Sequence, residues 1–273
     1  MSSSPQDAPR AVLRLGIPKG SLQDQTIELF RRAGWRITVS SRSYFPAIDD
    51  ADISCLLIRA QEMARYVENG ILDAGLTGLD WVLENESDVE VISELVYSRA
   101  TFQRARWVLA VPEASRIRAT GDCANATIAT ELVGYTTRYF RDRGVPVKVE
   151  FSWGATEAKV IEGLADALVD ITETGSTLKA NGLRIVETIL ETSTRLIANR
   201  AAMREPAKRD KVRQIALLLQ GALNAESMVG IKMNVAERDL ERVISLLPSL
   251  KAPTVARLHG TDWFAVESVI SGE

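Results

Sequence analysis

A chain of 273 residues, 46% hydrophobic and 25% charged, has the composition of an ordinary globular protein and the length for more than one core. A net charge of −3 argues against a general nucleic-acid surface, and a single histidine, His259, leaves no material for histidine triads or histidine metal clusters. No apolar run reaches membrane-span length, so no membrane partner is expected, and Cys55 and Cys123, outside any CxxC pair, fit a cytoplasmic protein better than a disulfide or zinc framework.

Residues 1–11 lack the apolar stretch of a signal peptide and read as a disordered tail. Val12–Pro18 reads as a buried strand. Lys19-Gly20-Ser21 follows, then a helical pattern through Leu22, Ile27, Leu29 and Phe30, with Ser21 as its N-cap and Gly34 as its stop. Ile53–Ile58 is a second strand, Gln61–Glu68 a helix ending at Gly70, Ile71–Leu76 a third strand, and Thr77-Gly78 the opening of another helix. Such alternation predicts an α/β fold with mostly parallel sheets. The pattern restarts after about residue 100. Arg106–Val111 and Thr127–Thr130 read as strands, Glu131–Arg143 as a helix, Val145–Phe151 as a strand, Thr156–Gly163 as a helix and Leu168–Ile171 as a strand. Arg184–Leu190 and Arg195–Ala198 are expected to return to the first lobe. Glu205–Asn224 reads as a connecting helix. Met228–Val235, Glu237–Leu247, Thr254–Leu258 and Trp263–Ile270 then read strand, helix, strand, strand. The expected organisation is a first lobe over 12–103 and 184–204, a second over 104–183, a connector over 205–227 and a small α+β unit over 228–273.

The strongest local signal is Asp170-Ile171-Thr172-Glu173-Thr174-Gly175-Ser176-Thr177-Leu178. An apolar strand runs into a small, hydroxyl-rich turn that opens a helix. Backbone N–H groups and the hydroxyls of Thr174, Ser176 and Thr177 suit a phosphate there, and Gly175 permits close approach. Asp170 and Glu173 suit ribose hydroxyls or magnesium. An ordinary capped strand–helix turn explains the same pattern. Asp73–Asp80, with Thr77 and Gly78, and Lys19-Gly20-Ser21 are further strand-end turns of this kind. All three belong on the carboxyl side of parallel strands, where open α/β sheets bind ligands. Arg42 and Arg59 are candidate phosphate clamps near the same edge, although most arginines merely face solvent. Trp153 and the other tryptophans are read as core. No GxxxxGK[ST] loop is present.

At this point the residues resemble the ATP phosphoribosyltransferases. The family pattern E-x5-G-x-[SAG]-x2-[IV]-x-D-[LIV]-x2-[ST]-G-x-T-[LM] is met by Glu157, Gly163, Ala165, Asp170, Ile171, Thr174, Gly175, Thr177 and Leu178, with Leu168 the one departure. Ile17–Ser21, Asp73–Asp80, Ile128–Thr130, Gly154–Glu157 and Ala180–Leu183 are also similar to the family. Glu62-Met63-Ala64 and Ala158-Lys159 depart from its usual segments. The resemblance runs from about Leu13 to Ile270. It implies a two-lobed catalytic part like a periplasmic binding protein, with the site between the lobes. It implies that Asp170–Thr177 hold phosphoribosyl pyrophosphate, and that Lys19, Gly20, Ser21, Asp73, Thr77, Gly78, Asp80, Gly154 and Glu157 lie toward ATP. Arg42 and Arg59 are the implied catalytic arginines at the pyrophosphate, and Mg²⁺ is the implied cofactor.

The last unit resembles the regulatory domain of the family's long form, through Leu246–Thr254 and Trp263–Val266. This implies a homo-oligomer, dimer to hexamer, and a histidine site involving Leu250, Ala252 and Thr254. The family's domain continues with a helix and a strand beyond the position of Ile270, so a partial ferredoxin-like domain and weak histidine inhibition are expected. A non-catalytic two-lobed binding module and an inactive regulatory homologue are the alternatives.

Overall fold

The computed structural model describes residues 12–40, 42–97, 104–226, 228–247 and 252–271; the expected tail over 1–11 and Leu250 lie outside them. The first lobe contains β1 (Leu13–Lys19), α1 (Gln23–Arg32), the short β2 (Ile37–Thr38) and β3 (Ala47–Ile48), β4 (Ile53–Arg59), α2 (Ala60–Glu68), β5 (Ala74–Gly78), α3 (Leu79–Glu84) and β6 (Glu90–Leu95). The second contains β7 (Ala105–Pro112), β8 (Thr127–Thr130), α4 (Val133–Arg141), β9 (Lys148–Phe151), α5 (Thr156–Ile161), β10 (Ala167–Thr172), α6 (Ser176–Ala180) and β11 (Leu183–Thr192). β12 (Thr194–Ala198) then returns to the first sheet.

The first sheet has the order β4-β1-β5-β12-β6. β4, β1 and β5 are parallel, so Arg59, Lys19 and Gly78 finish on one edge. β12 lies antiparallel to both of its neighbours because it enters from that same edge. Met63 of α2 sits where a Cβ on Gly16 or Gly75 would collide with it, so the helix rests directly on β1 and β5. The second sheet has the order β11-β7-β10-β8-β9, with β10, β8 and β9 parallel and β7 antiparallel to both neighbours. Both sheets are therefore mixed, around parallel centres.

Several sequence expectations are corrected. Arg184–Leu190 does not return to the first lobe; it pairs with β7 in the second sheet, and the crossing falls at Ser193, between β11 and β12. Ile71–Asp73 are bends rather than strand; Leu72 is buried there, which explains the apolar run. Ser21 does not cap α1. It lies inside a turn closed by Gln23 N–H to the Gly20 carbonyl, and Leu22 occupies the cap position without a side-chain bond.

The chain separates into two compact units, residues 1–219 and 220–273. α7 (Pro206–Glu226) buries Val212, Ile215 and Leu219 in the first. The second holds β13 (Met228–Ala236), α8 (Leu240–Leu246), β14 (Thr254–Arg257) and β15 (Trp263–Ser271) in an antiparallel sheet of order β13-β15-β14. Among the described residues no helix is long and apolar enough to cross a membrane.

Candidate active site

The carboxyl ends of the parallel strands in the two lobes open on one cleft of about 460 Å³. The first lobe supplies Lys19, Gly20, Ser21, Arg59 and Gly78; the second supplies Glu131 and Asp170–Glu173. Tyr97, Ala105 and Thr192–Thr194 form the floor, where the chain passes between the sheets. The cationic wall is held by aromatic rings. Lys19 Nζ lies 4.2 Å from the centre of the Tyr44 ring, and the Arg59 guanidinium carbon 5.3 Å from that of Trp153 across the cleft. The facing wall is acidic. Burial pushes the Asp170 carboxyl up to about 6; the Ile171 amide, 2.7 Å away, opposes this, while Glu157 and Glu131 add repulsion. Burial also raises Glu131, against hydrogen bonds from Gln61 and the Gly154 amide. Cations facing reluctant carboxylates at two strand-end edges suit a ligand carrying both phosphates and sugar hydroxyls.

The lobes are joined beside this cleft. Asp80 is buried and accepts from Trp107 Nε1 and Thr192 Oγ1, each at 2.9 Å. Burial lifts its carboxyl above the ordinary value despite these bonds. Trp81 meets Trp107 edge to face at 6.1 Å. Glu84, at the end of α3, accepts the Gly134 and Tyr135 amides, both at 2.8 Å, and so satisfies the open N-terminus of α4 in the other lobe. Arg138 of α4 returns to the Leu83 carbonyl and to Glu86.

Residues 59–221 match the family model described as ATP phosphoribosyltransferase, and residues 225–273 match that of the HisG C-terminal domain. The chain belongs to the ATP phosphoribosyltransferase family. An ATP phosphoribosyltransferase of Desulfosudis oleivorans is 59% identical over 262 residues, covering 96% of this chain and 90% of that protein. ATP phosphoribosyltransferase 1 of Geobacter sulfurreducens is 57% identical over 259 residues, covering 95% and 89%. A solved ATP phosphoribosyl transferase (HisG:HisZ) complex from Thermotoga maritima is similar with a TM-score of 0.67 at 30% identity, over 78% of this chain and all of that one. The aliphatic sulphonate binding protein SsuA of Escherichia coli, a periplasmic protein, shares the fold alone, with a TM-score of 0.51 at 16% identity, over 88% and 78%.

Within this ATP phosphoribosyltransferase fold the expected site residues divide into three groups. Lys19, Gly20, Ser21, Arg59, Gly78 and Asp170, Ile171, Thr172, Glu173 line the cleft, on its two facing walls. Thr174, Gly175, Ser176 and Thr177 continue from its rim into α6. There the Gly175 amide already donates to Thr172 Oγ1 at 2.8 Å, and Thr174 and Ser176 share a hydroxyl contact of 2.9 Å. Gly154 and Glu157 stand behind the acidic wall and act on Glu131 and Asp170. Arg42 is exposed on the turn before β3 and is not part of the wall.

Asp73, Thr77 and Asp80 require correction. Asp73 precedes β5, at the end of the sheet opposite the cleft. Thr77 is fully buried and donates to the Ala60 carbonyl at 2.7 Å, tying β5 to α2. Asp80 touches the cleft, but both its oxygens are engaged by Trp107 and Thr192, so it serves the joint between the lobes. Trp153, read as core, is 67% exposed at the rim. Its sequence signal was slight: one aromatic just past a strand end. Ala252 and Thr254 are exposed at the start of β14.

Asp73 instead anchors the lobe. It accepts from Arg14 Nη2 at 2.8 Å and Lys208 Nζ at 3.2 Å. Burial works to raise its carboxyl, but these bonds together outweigh it and hold the group below its ordinary value. Asp73→Asn is expected to destabilise the fold by about 1.5–2 kcal/mol, because Arg14 loses its carboxylate partner and Lys208 is left with Glu205 alone. That corresponds to a fall of roughly 3–8 °C in Tm, with KM for ATP unchanged. A depressed carboxyl stabilises above its unfolded value, about 3.9, and that stability is lost as pH falls through the folded value. The parent should therefore lose its advantage over the variant only in acid, below about pH 4. A raised KM for ATP at full stability would return Asp73 to the nucleotide side.

Proposed function

We propose that this cleft transfers the phosphoribosyl group of phosphoribosyl pyrophosphate to N1 of ATP, the first step of histidine biosynthesis. The observation that carries the reading is the opposition of Lys19 and Arg59 on one wall to Asp170–Glu173 on the other. The adenine N1 lone pair forms the new bond at C1 of the donor with inversion. The C1–O bond breaks, and pyrophosphate leaves with its electrons. Asp170 and Glu173 meet the ribose hydroxyls, and Thr174–Thr177 take the 5-phosphate. Arg59 and Lys19 stabilise the phosphates, with Arg59 against the leaving group, where charge builds. Arg42 joins them only through a change in its turn. The alternative, a non-catalytic module, is supported by fold likeness alone.

Among the described residues no three Asp, Glu, His or Cys side chains gather as a metal cage. This donor set fits magnesium as an ion held chiefly by substrate phosphates with one or two carboxylates, Asp170 or Glu173. When bound there it would neutralise charge on the leaving pyrophosphate. We further propose a homo-oligomer, with histidine as a ligand of the second unit near Ala252 and Thr254.

The test is direct. The purified chain with ATP, phosphoribosyl pyrophosphate and Mg²⁺ should form phosphoribosyl-ATP and pyrophosphate in equal amounts. ATP that stays intact beside an active relative in the same buffer would sink the reading. Histidine titration of the initial rate tests the second unit.

A further inference from the structure

Trp153 stands out at the rim of the cleft, against Arg59. A large indole at 67% exposure costs hydration, yet its backbone is pinned on both sides. Before it, Ser152 is buried, donates its amide to the Thr130 carbonyl at 2.9 Å and shares a hydroxyl contact of 3.1 Å with Thr156. After it, the Gly154 amide bonds Glu131, itself part of the cleft wall. The ring is therefore presented from a fixed base. Arg59, a cleft-lining residue, lies over its ring at 5.3 Å, so the indole stands beside the cleft and one flat cation already uses its π surface.

Position makes that partner specific. Trp153 follows β9, and Asp170–Glu173 end β10, with β8 the single strand between them. Neighbouring strands are about 4.8 Å apart, so the chain leaves β9 toward Trp153 roughly 10 Å from the strand that carries the donor wall. The reaction requires the base of ATP, rather than its phosphates, to meet the donor. A purine lying on an indole at that distance spans the gap, while its phosphates run back toward Arg59 and Lys19 on the first lobe.

We propose that Trp153 is the stacking platform for the adenine of ATP, a substrate-binding residue of the second lobe. The proposal rests on the reading of the cleft given above. Stacking is tolerant of which base it holds, so Trp153 supplies affinity and orientation rather than discrimination among purines.

Trp153→Ala should raise KM for ATP about tenfold to a hundredfold, leave KM for the donor within twofold and leave Tm unchanged. Trp153→Phe should recover most of the loss. Independently of turnover, ATP should quench the tryptophan emission of the parent, and Trp153→Phe should remove most of that quench. An unchanged KM for ATP, or a fall in kcat alone that copies Arg59→Ala, would overturn the proposal and make the indole a support for Arg59. A parent that binds ATP with quenching but forms no product would count against the proposed reaction while leaving the platform standing.

Discussion

Arg59→Ala is expected to lower kcat about 10²–10³-fold, with a smaller rise in KM for ATP. Arg59 ends β4, one strand from Lys19 and at the same edge. That edge faces the wall where the donor is proposed to sit, so a guanidinium there meets the pyrophosphate as charge develops on it. A forked cation can hold two phosphate oxygens at once, and an ammonium on a shorter reach cannot. Arg59→Lys should thus recover part of the loss but remain well below the parent. Single-turnover rates with both substrates saturating would isolate the step. Normal kcat with raised KM would assign Arg59 to ground-state binding only. The contact with Trp153 must be separated from this effect, and the double variant Arg59→Ala with Trp153→Ala does so. The two side chains touch, so some coupling is expected; if they serve different substrate groups, Arg59→Ala should still lower kcat in the Trp153→Ala background.

Gly175→Val is expected to raise the Kd for phosphoribosyl pyrophosphate at least about tenfold and to lower Tm by a few degrees. Gly175 opens α6 at φ +78°, in the left-handed region. A β-branched residue is strongly disfavoured there, at about 1–2 kcal/mol or more. Its missing Cβ faces Ile185 Cδ1 at 3.1 Å, with Arg106 Nη2 at 4.0 Å, rather than the open side of the loop. The substitution therefore acts through the backbone. It forces the turn out of the conformation that lets Thr172 take the Gly175 amide, and the hydroxyls of Thr174 and Ser176 move with it. Gly175→Ala, which brings only the Cβ and no branch against Ile185, should show a smaller loss of the same kind. Calorimetric titration with the donor alone checks both variants; unchanged donor affinity would remove this loop from the site.

Sequence periodicity made the strand–helix order readable because buried strands such as Leu13–Lys19 and Ile53–Arg59 carry nearly unbroken apolar runs. It could not say which sheet a strand joins. Arg184–Leu190 has the pattern of a strand, but its pairing with β7 depends on a partner more than seventy positions earlier. β6 is not legible in the sequence because it is an edge strand whose acids and apolar residues give no clean alternation. In the site, the motif Asp73–Asp80 looked like one turn. It contains a whole strand, so its two acids stand at opposite ends of the sheet with different neighbours. The donor loop was legible because its small and hydroxyl residues are contiguous. The face of Trp153 was not, since its meaning depends on Arg59 in the other lobe.

The strand order β4-β1-β5-β12-β6 has a consequence for how the molecule is made. β12 lies between β5 and β6, yet it is the last of the five to leave the ribosome. Until Thr194–Ala198 emerge, the inner edge of β5 and the inner edge of β6 have no permanent neighbour. All the strands of the other sheet, β7 to β11, are synthesised in that interval. The later-numbered lobe therefore completes first, and the earlier one waits with an open slot for a single five-residue key. Unpaired strand edges of this kind are where nascent chains stick to one another. Slowing translation just before Thr194 should lengthen that exposure, and nascent-chain aggregation and chaperone occupancy should rise there rather than at the end of the chain.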